Sequence, residues 1–125
     1  MEFRAWNLKK NKMHKITEFL LDDSGFKYIC LENNVVSYAG CVIMQYIGLK
    51  DKNGKKIFEG DYLEGSRGFK YEVKRVAGGF AINTFADEFG GNWTGWTATA
   101  DMQTSGFIKE SCEIVGNIFE NPIAE

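Results

Sequence analysis

Along the chain, apolar and polar positions alternate in short runs, and no long stretch repeats its apolar residues at helical spacing. Residues 3–6 (FRAW) and 13–19 (MHKITEF) alternate on either side of the polar run Asn7–Lys12, which predicts a β-hairpin with a loose, basic loop. A turn at Asp22–Gly25 leads into a third strand-like run, Phe26–Leu31, and Asn33-Asn34 marks a break. Val35–Tyr38 and Cys41–Ile47 follow, rich in β-branched and aromatic residues. Asn53-Gly54 sits between apolar runs and predicts a type I′ hairpin turn, because both residues tolerate positive φ. Phe69–Val76 and Phe80–Phe85 read as paired strands joined by Ala77-Gly78-Gly79. Trp93–Thr99 is strand-like, and Phe107–Glu113 fits either a short helix or a strand, since so short a run carries no decisive period. Asn121-Pro122 stops the last run.

This turn-rich spacing predicts an all-β or β-rich α+β chain, a single antiparallel domain over residues 1–125. Its expected form is a partly closed small barrel plus the N-terminal hairpin, with at most one short helix. Composition agrees: 14 glycines, one proline and 18 aromatic residues suit a sheet with tight turns better than a helical bundle. No apolar run nears the roughly 20 residues that cross a bilayer, and the charged N-terminus lacks the apolar stretch of a signal peptide. A cytoplasmic protein without a membrane partner is expected.

Charge is uneven. Residues 1–75 hold 14 of the 15 Lys and Arg against 10 acids, whereas residues 76–125 hold Lys109 against seven acids. Either the two halves neutralise each other or a basic face meets an acidic partner.

Three segments resemble the YopX-like family of phage and prophage proteins: FRAWN at Phe3–Asn7, MQYIGLKDKNGKKIFEGD at Met44–Asp61 and VGNIFENP at Val115–Pro122. The resemblance spans nearly the whole chain. It implies a gene of phage or integrated-prophage origin, expressed in the cytoplasm of a bacterial host, and it brings no activity with it. Its motif residues read as turn formers: Gly48, Asp51, Asn53, Gly54, Gly60, Asp61, Gly116, Asn117 and Pro122. Leu49, Ile57 and Phe58 are core candidates.

Catalytic chemistry finds few residues to use. Nucleophilic catalysis needs a thiol or hydroxyl beside a base, and His14 is the only histidine. The three cysteines, Cys30, Cys41 and Cys112, are widely spaced and contain no C-x-x-C pair, so neither a disulfide framework nor a zinc ribbon is expected. Asp22-Asp23 and Asp87-Glu88 are adjacent pairs, which on an extended chain face opposite ways. The loops Gly65–Gly68 and Gly90–Asn92 match no phosphate-binding fingerprint. No catalytic residue, metal or cofactor is therefore assigned.

Two surfaces remain. Phe89, Trp93 and Trp96 fall in the acid-rich half, and residues 93 and 96 of one strand would face opposite ways, so one ring is expected at a contact with a second copy or another protein. Lys52, Lys55, Lys56, Arg67, Lys70, Lys74 and Arg75 cluster around aromatic residues and are candidate nucleic-acid contacts, although Lys50–Arg75 nets only +3. The leading expectation is an accessory protein acting through protein contacts or as a homo-oligomer. A small-barrel nucleic-acid binder is the alternative, and an enzyme comes third.

Overall fold

In a computed structural model, residues 1–32, 34–36, 38–86 and 96–121 are described, with the side chains of Tyr38, Arg67, Thr84, Phe85, Ala86 and Trp96 excepted. The chain forms two compact units, Met1–Tyr46 and Ile47–Glu125.

The first unit is a meander. Strands β1 (Phe3–Asn7), β2 (Lys12–Asp22), β3 (Gly25–Leu31) and β4 (Asn34–Val36) follow one another, and β5 (Cys41–Lys50) returns along the other side of β1. The hairpin read from residues 3–19 is present, with Arg4 opposite Lys15 and Asn7 opposite Lys12. It is not an appendage, because β1 also pairs with β5, Ala5 lying opposite Ile43. The alternation seen in FRAW puts Phe3 and Ala5 on a buried face with Ile16, Ile29 and Leu31. Phe3, Phe19 and Phe26 meet edge to face there, with ring centroids 5.0 to 5.9 Å apart. Each such side chain contributes about 1.5–3 kcal/mol by leaving water, and each ring pair about 0.5–1.5 kcal/mol more. The loop between β1 and β2 is ordered by its own sequence: Asn7 Oδ1 accepts from the Lys9 and Lys10 amides at 3.0 and 3.1 Å, and Asn11 takes the left-handed conformation at φ 50°.

In the second unit β5 continues into a hairpin with β6 (Lys56–Phe58). Strands β7 (Asp61–Glu64), β8 (Lys70–Val76), β9 (Gly79–Ala86) and β10 (Trp96–Ala98) form an antiparallel meander. Helix α1 (Met102–Ser111) then carries the chain back, and β11 (Glu113–Asn117) pairs with β7. Ile57, Leu63, Val73, Ile82, Ile108 and Cys112 form the core of this unit, with Leu49, Tyr71 and Phe107 packed against it. Phe58 is half-buried.

All strand pairs are antiparallel and the helix is short, as the pattern predicts. The expected barrel is not formed: the described strands make two open sheets, in the orders β4-β3-β2-β1-β5-β6 and β10-β9-β8-β7-β11. Closure needs the two edge strands to pair along their length, and β4, β6 and β10 are three residues each. Residues 107–113 divide between the two structures offered for them. The helix begins earlier than read, because Asp101 caps it: its carboxylate accepts from the Thr104 amide and hydroxyl, both at 3.0 Å. The turn at residues 51–55 also differs from the expected type I′. Only Gly54 has positive φ (81°), its amide donates to the Asp51 carbonyl, and the Asp51 amide donates to the Lys55 carbonyl. This is a type I turn closed by a left-handed glycine, in which Asn53 needs no unusual conformation.

Candidate functional site

The two longer motifs meet in the second unit, and acidic side chains hold them together. Asp51 is buried, and its carboxylate accepts three backbone N–H groups. Oδ1 takes those of Asn53 and Lys55, each at 2.9 Å. Oδ2 takes that of Ile114 at 3.0 Å, tying the β5–β6 turn to the start of β11. The neighbouring Lys52 amide donates to the Cys112 carbonyl at 2.9 Å. Further along, Asp61 lies opposite Asn117 and accepts from the Phe58 amide at 2.8 Å. The Ile118 amide donates to the Gly60 carbonyl at 2.9 Å. Asn117 Oδ1 then accepts from the Phe119 and Glu120 amides at 3.0 and 2.8 Å. Gly116 lets the chain close on itself, since a Cβ there would stand 2.5 Å from Asn121 Oδ1 and 3.1 Å from Asn121 Cβ. Gly48 and Gly60, like Gly54, have positive φ. Pro122 lies outside the described residues.

This arrangement is a clamp. The Asp51 and Asp61 carboxylates are engaged by backbone donors, which fixes their orientation. Cys112 is packed under the same junction, and burial pushes its thiol up to about 11, while burial also raises Cys41. Both thiols are therefore neutral and weakly nucleophilic near pH 7. His14 Nδ1 hydrogen-bonds Glu32 Oε1 at 2.9 Å in the first unit. Among the described residues no three His, Cys, Asp or Glu side chains converge as a metal-ligand set.

A cavity of about 340 Å³ lies against α1, walled by Tyr71, Ile82 and Phe107 and rimmed by Thr97, Asp101, Gln103 and Thr104. The Tyr71 and Phe107 rings stand edge to face at 5.7 Å. Burial raises the Tyr71 phenol. The bonds from the Thr104 amide and hydroxyl hold the Asp101 carboxyl below its ordinary range. The one acid of this cavity's described wall is thus the helix cap.

Of the residues expected at an interface, Phe89 and Trp93 lie outside the described residues, and of Trp96 only the backbone is placed, in β10 opposite Asn83. The basic candidates of β8 face both ways. Lys70 and Lys74 share a face of β8 with Glu72 between them, and Arg75 faces the other way. Arg75 pairs with Glu59 at 2.9 Å and lies over the Phe80 ring, while Lys52 pairs with Glu113 at 3.4 Å. Lys55 and Lys56 follow the turn, both exposed, and the Arg67 side chain is outside the described set.

One surface in the first unit was not foreseen. Cys30 lies opposite both Val35 and Glu18, and Tyr28 lies opposite Leu20, so these residues share the face turned away from the Phe3 core. Val35 is 72% exposed and Leu20 50%. Tyr28 donates to Glu18 Oε1 at 2.9 Å, and that bond raises its phenol. The result is an apolar patch beside the edge strand β4. The consecutive Phe19-Leu20-Leu21 carried the signal, because a strand cannot bury three successive side chains on one face.

Two open antiparallel sheets, one capped helix and a clamp made by two motifs define a β-sheet scaffold. The chain belongs to the YopX family, whose model, described as YopX protein, matches residues 2–124. Among solved structures it is similar to protein EF1440 from Enterococcus faecalis, at 25% identity and a TM-score of 0.60, over 97% of this chain and 94% of that one. No curated protein matches it. Among the described residues no helix is long and apolar enough to cross a membrane.

Proposed function

We propose that this chain is an accessory protein of a phage or integrated prophage that acts in the bacterial cytoplasm by contact with protein, either a second copy or a partner, and not by catalysis. The observation that carries this reading is the patch of Val35, Leu20 and Tyr28 beside β4. A short edge strand offers backbone donors and acceptors to an added strand, and the neighbouring apolar side chains supply contact area. The clamp supports the same reading from the other side, since the motif acids Asp51 and Asp61 are engaged in holding the frame.

The test pairs size-exclusion chromatography with multi-angle scattering and a pull-down from infected or lysogenic cells, using the wild type and a Val35→Asp/Leu20→Asp variant. Both positions are exposed, so the variant should keep its circular dichroism spectrum and lose the oligomer or the captured protein. A wild type that stays monomeric at high micromolar concentration, and captures nothing the variant does not, refutes the proposal.

A further inference from the structure

Residues 3–17 contain Arg4, Lys9, Lys10, Lys12 and Lys15 and no acid. The fold turns it into a presented surface. Lys9, Lys10, Lys12 and Lys15 are all exposed. None of the four makes an ion pair among the described residues, in contrast with Lys52 and Arg75. The loop that carries them is held by the Asn7 bonds to Lys9 and Lys10 and by a 3.0 Å bond from the Leu8 amide to the Gly40 carbonyl. Lys9, Lys10 and Lys12 therefore stand together at the turn, and Lys15, opposite Arg4, flanks them on the other face of the ribbon.

Pairing of β2 with β3 begins at Ile16 opposite Leu31. On that side the hairpin runs about 13 Å beyond its neighbour, at about 3.3 Å per residue. Of the acids in this unit, Glu18 lies on β2 and accepts from the Tyr28 hydroxyl, and Asp22 ends β2, ten residues from Lys12. That is about 33 Å of strand, several times the screening length of about 8 Å at physiological salt. Glu32, which follows β3, is engaged by His14. Among the described residues no acid of this unit forms an ion pair with the four lysines.

We infer that the β1–β2 hairpin docks on the phosphate backbone of nucleic acid, with Lys9, Lys10, Lys12 and Lys15 as the contacts and without reading bases. A two-stranded ribbon fits the width of a duplex groove, and lysines on a fixed turn meet phosphates as point charges. The tip carries one exposed apolar side chain, Leu8, which is too little for insertion into a lipid interface or for the aromatic anchor of a protein contact. This surface is separate from the Val35 patch, and it stands or falls independently of the protein-contact proposal.

The experiment is fluorescence anisotropy with a labelled 20-base-pair duplex of mixed sequence, titrated from 50 to 200 mM salt. Four engaged lysines give a slope of log K against log salt of about −3.6, a loss of about 150-fold over that range. Lys9→Gln/Lys10→Gln should reduce the slope to about −1.8 and the loss to about 12-fold, with unchanged circular dichroism. Lys52→Gln/Lys55→Gln should leave the wild-type slope. Absence of binding at 50 mM salt, an unchanged slope in the Lys9/Lys10 variant, or loss in the Lys52/Lys55 variant instead would overturn the inference. So would lysine-dependent sedimentation with phosphatidylserine vesicles by a protein that ignores the duplex.

Discussion

Replacing Asp51 tests whether the clamp holds the second unit together. Its carboxylate accepts two amides inside the turn and one, from Ile114, across to β11. In Asp51→Ala the amides of Asn53 and Lys55 are exposed enough to bind water, so their loss costs about 0.5 kcal/mol each. Ile114 is half-buried, and its orphaned N–H adds the larger share, about 2–3 kcal/mol for a bond to a charged acceptor. The sum is about 3–4 kcal/mol, a large fraction of the roughly 5–15 kcal/mol that keeps a domain folded. Asp51→Asn separates the contributions. Its carbonyl can keep the two turn bonds while its NH₂ group faces the Ile114 N–H, donor against donor, so a cost of about 2 kcal/mol is expected.

Urea unfolding followed by tryptophan fluorescence reads both variants. With a slope of about 2 kcal/mol per molar, the midpoint should fall by about 1.5–2 M for Ala and about 1 M for Asn. Amide exchange adds a local check, because the Ile114 amide should lose protection in both variants and the Lys55 amide only in Ala. An Ala variant within 1 kcal/mol of wild type, or one no worse than Asn, would show that the bond from the turn to β11 contributes little.

The Asp101 cap gives an acid prediction. Its folded pKa is lowered from the ordinary 3.8 by the bonds to Thr104, so its stabilisation is complete above that value and is lost as pH falls through the folded one. The protection of the first-turn amides of α1 should fall as pH drops below the ordinary 3.8 and through the lower folded pKa, and Asp101→Asn, still a capping residue, should flatten that dependence. The thiols give an ordering: in the native protein at pH 8 a disulfide reagent should modify Cys41 before Cys112, which waits for unfolding because it is buried and its thiol is held near 11. Equal rates would contradict the burial of Cys112. Gly116→Ala should lower stability by about 1–3 kcal/mol through its collision with Asn121, and Asn121→Gly should restore part of the loss in a thermal-melt double-mutant cycle.

The strands whose patterns decide themselves were legible from residue order. In FRAW, β1 buries Phe3 and Ala5 on one face and Trp6 on the other, and the hairpin β8–β9 follows from Gly78-Gly79 between two apolar runs. Sheet closure was not legible, since it depends on how many residues the edge strands pair, which local pattern does not specify. Helix α1 began five residues ahead of the run that drew attention, and its signal was the Asp101–Thr104 cap and not an apolar period. At the motifs Gly54 and Gly60 take the positive φ of turn residues, whereas Gly48, Gly116 and Asn117 lie within strands, and Asp51 bonds Ile114, sixty-three positions away. No spacing rule carries a contact of that range.

Asp51 to Ile114, Lys52 to Cys112 and Asp61 opposite Asn117 join the two ends of the segment between the motifs. The strands β7 to β10 and helix α1 therefore form a loop whose ends are pinned by groups outside its own exposed surface. Closing a loop of that length costs free energy that grows only logarithmically with its residue number, so a few residues added between β9 and β10 change the cost by a few tenths of a kcal/mol. Breaking the pins costs several times more. Surface within the loop can thus change while the frame persists, and a Gly-Ser insertion after Ala86 should leave the urea midpoint nearly unchanged where Asp51→Ala lowers it. An insertion as damaging as Asp51→Ala would mean that the segment itself, and not the clamp at its ends, sets the stability of the second unit.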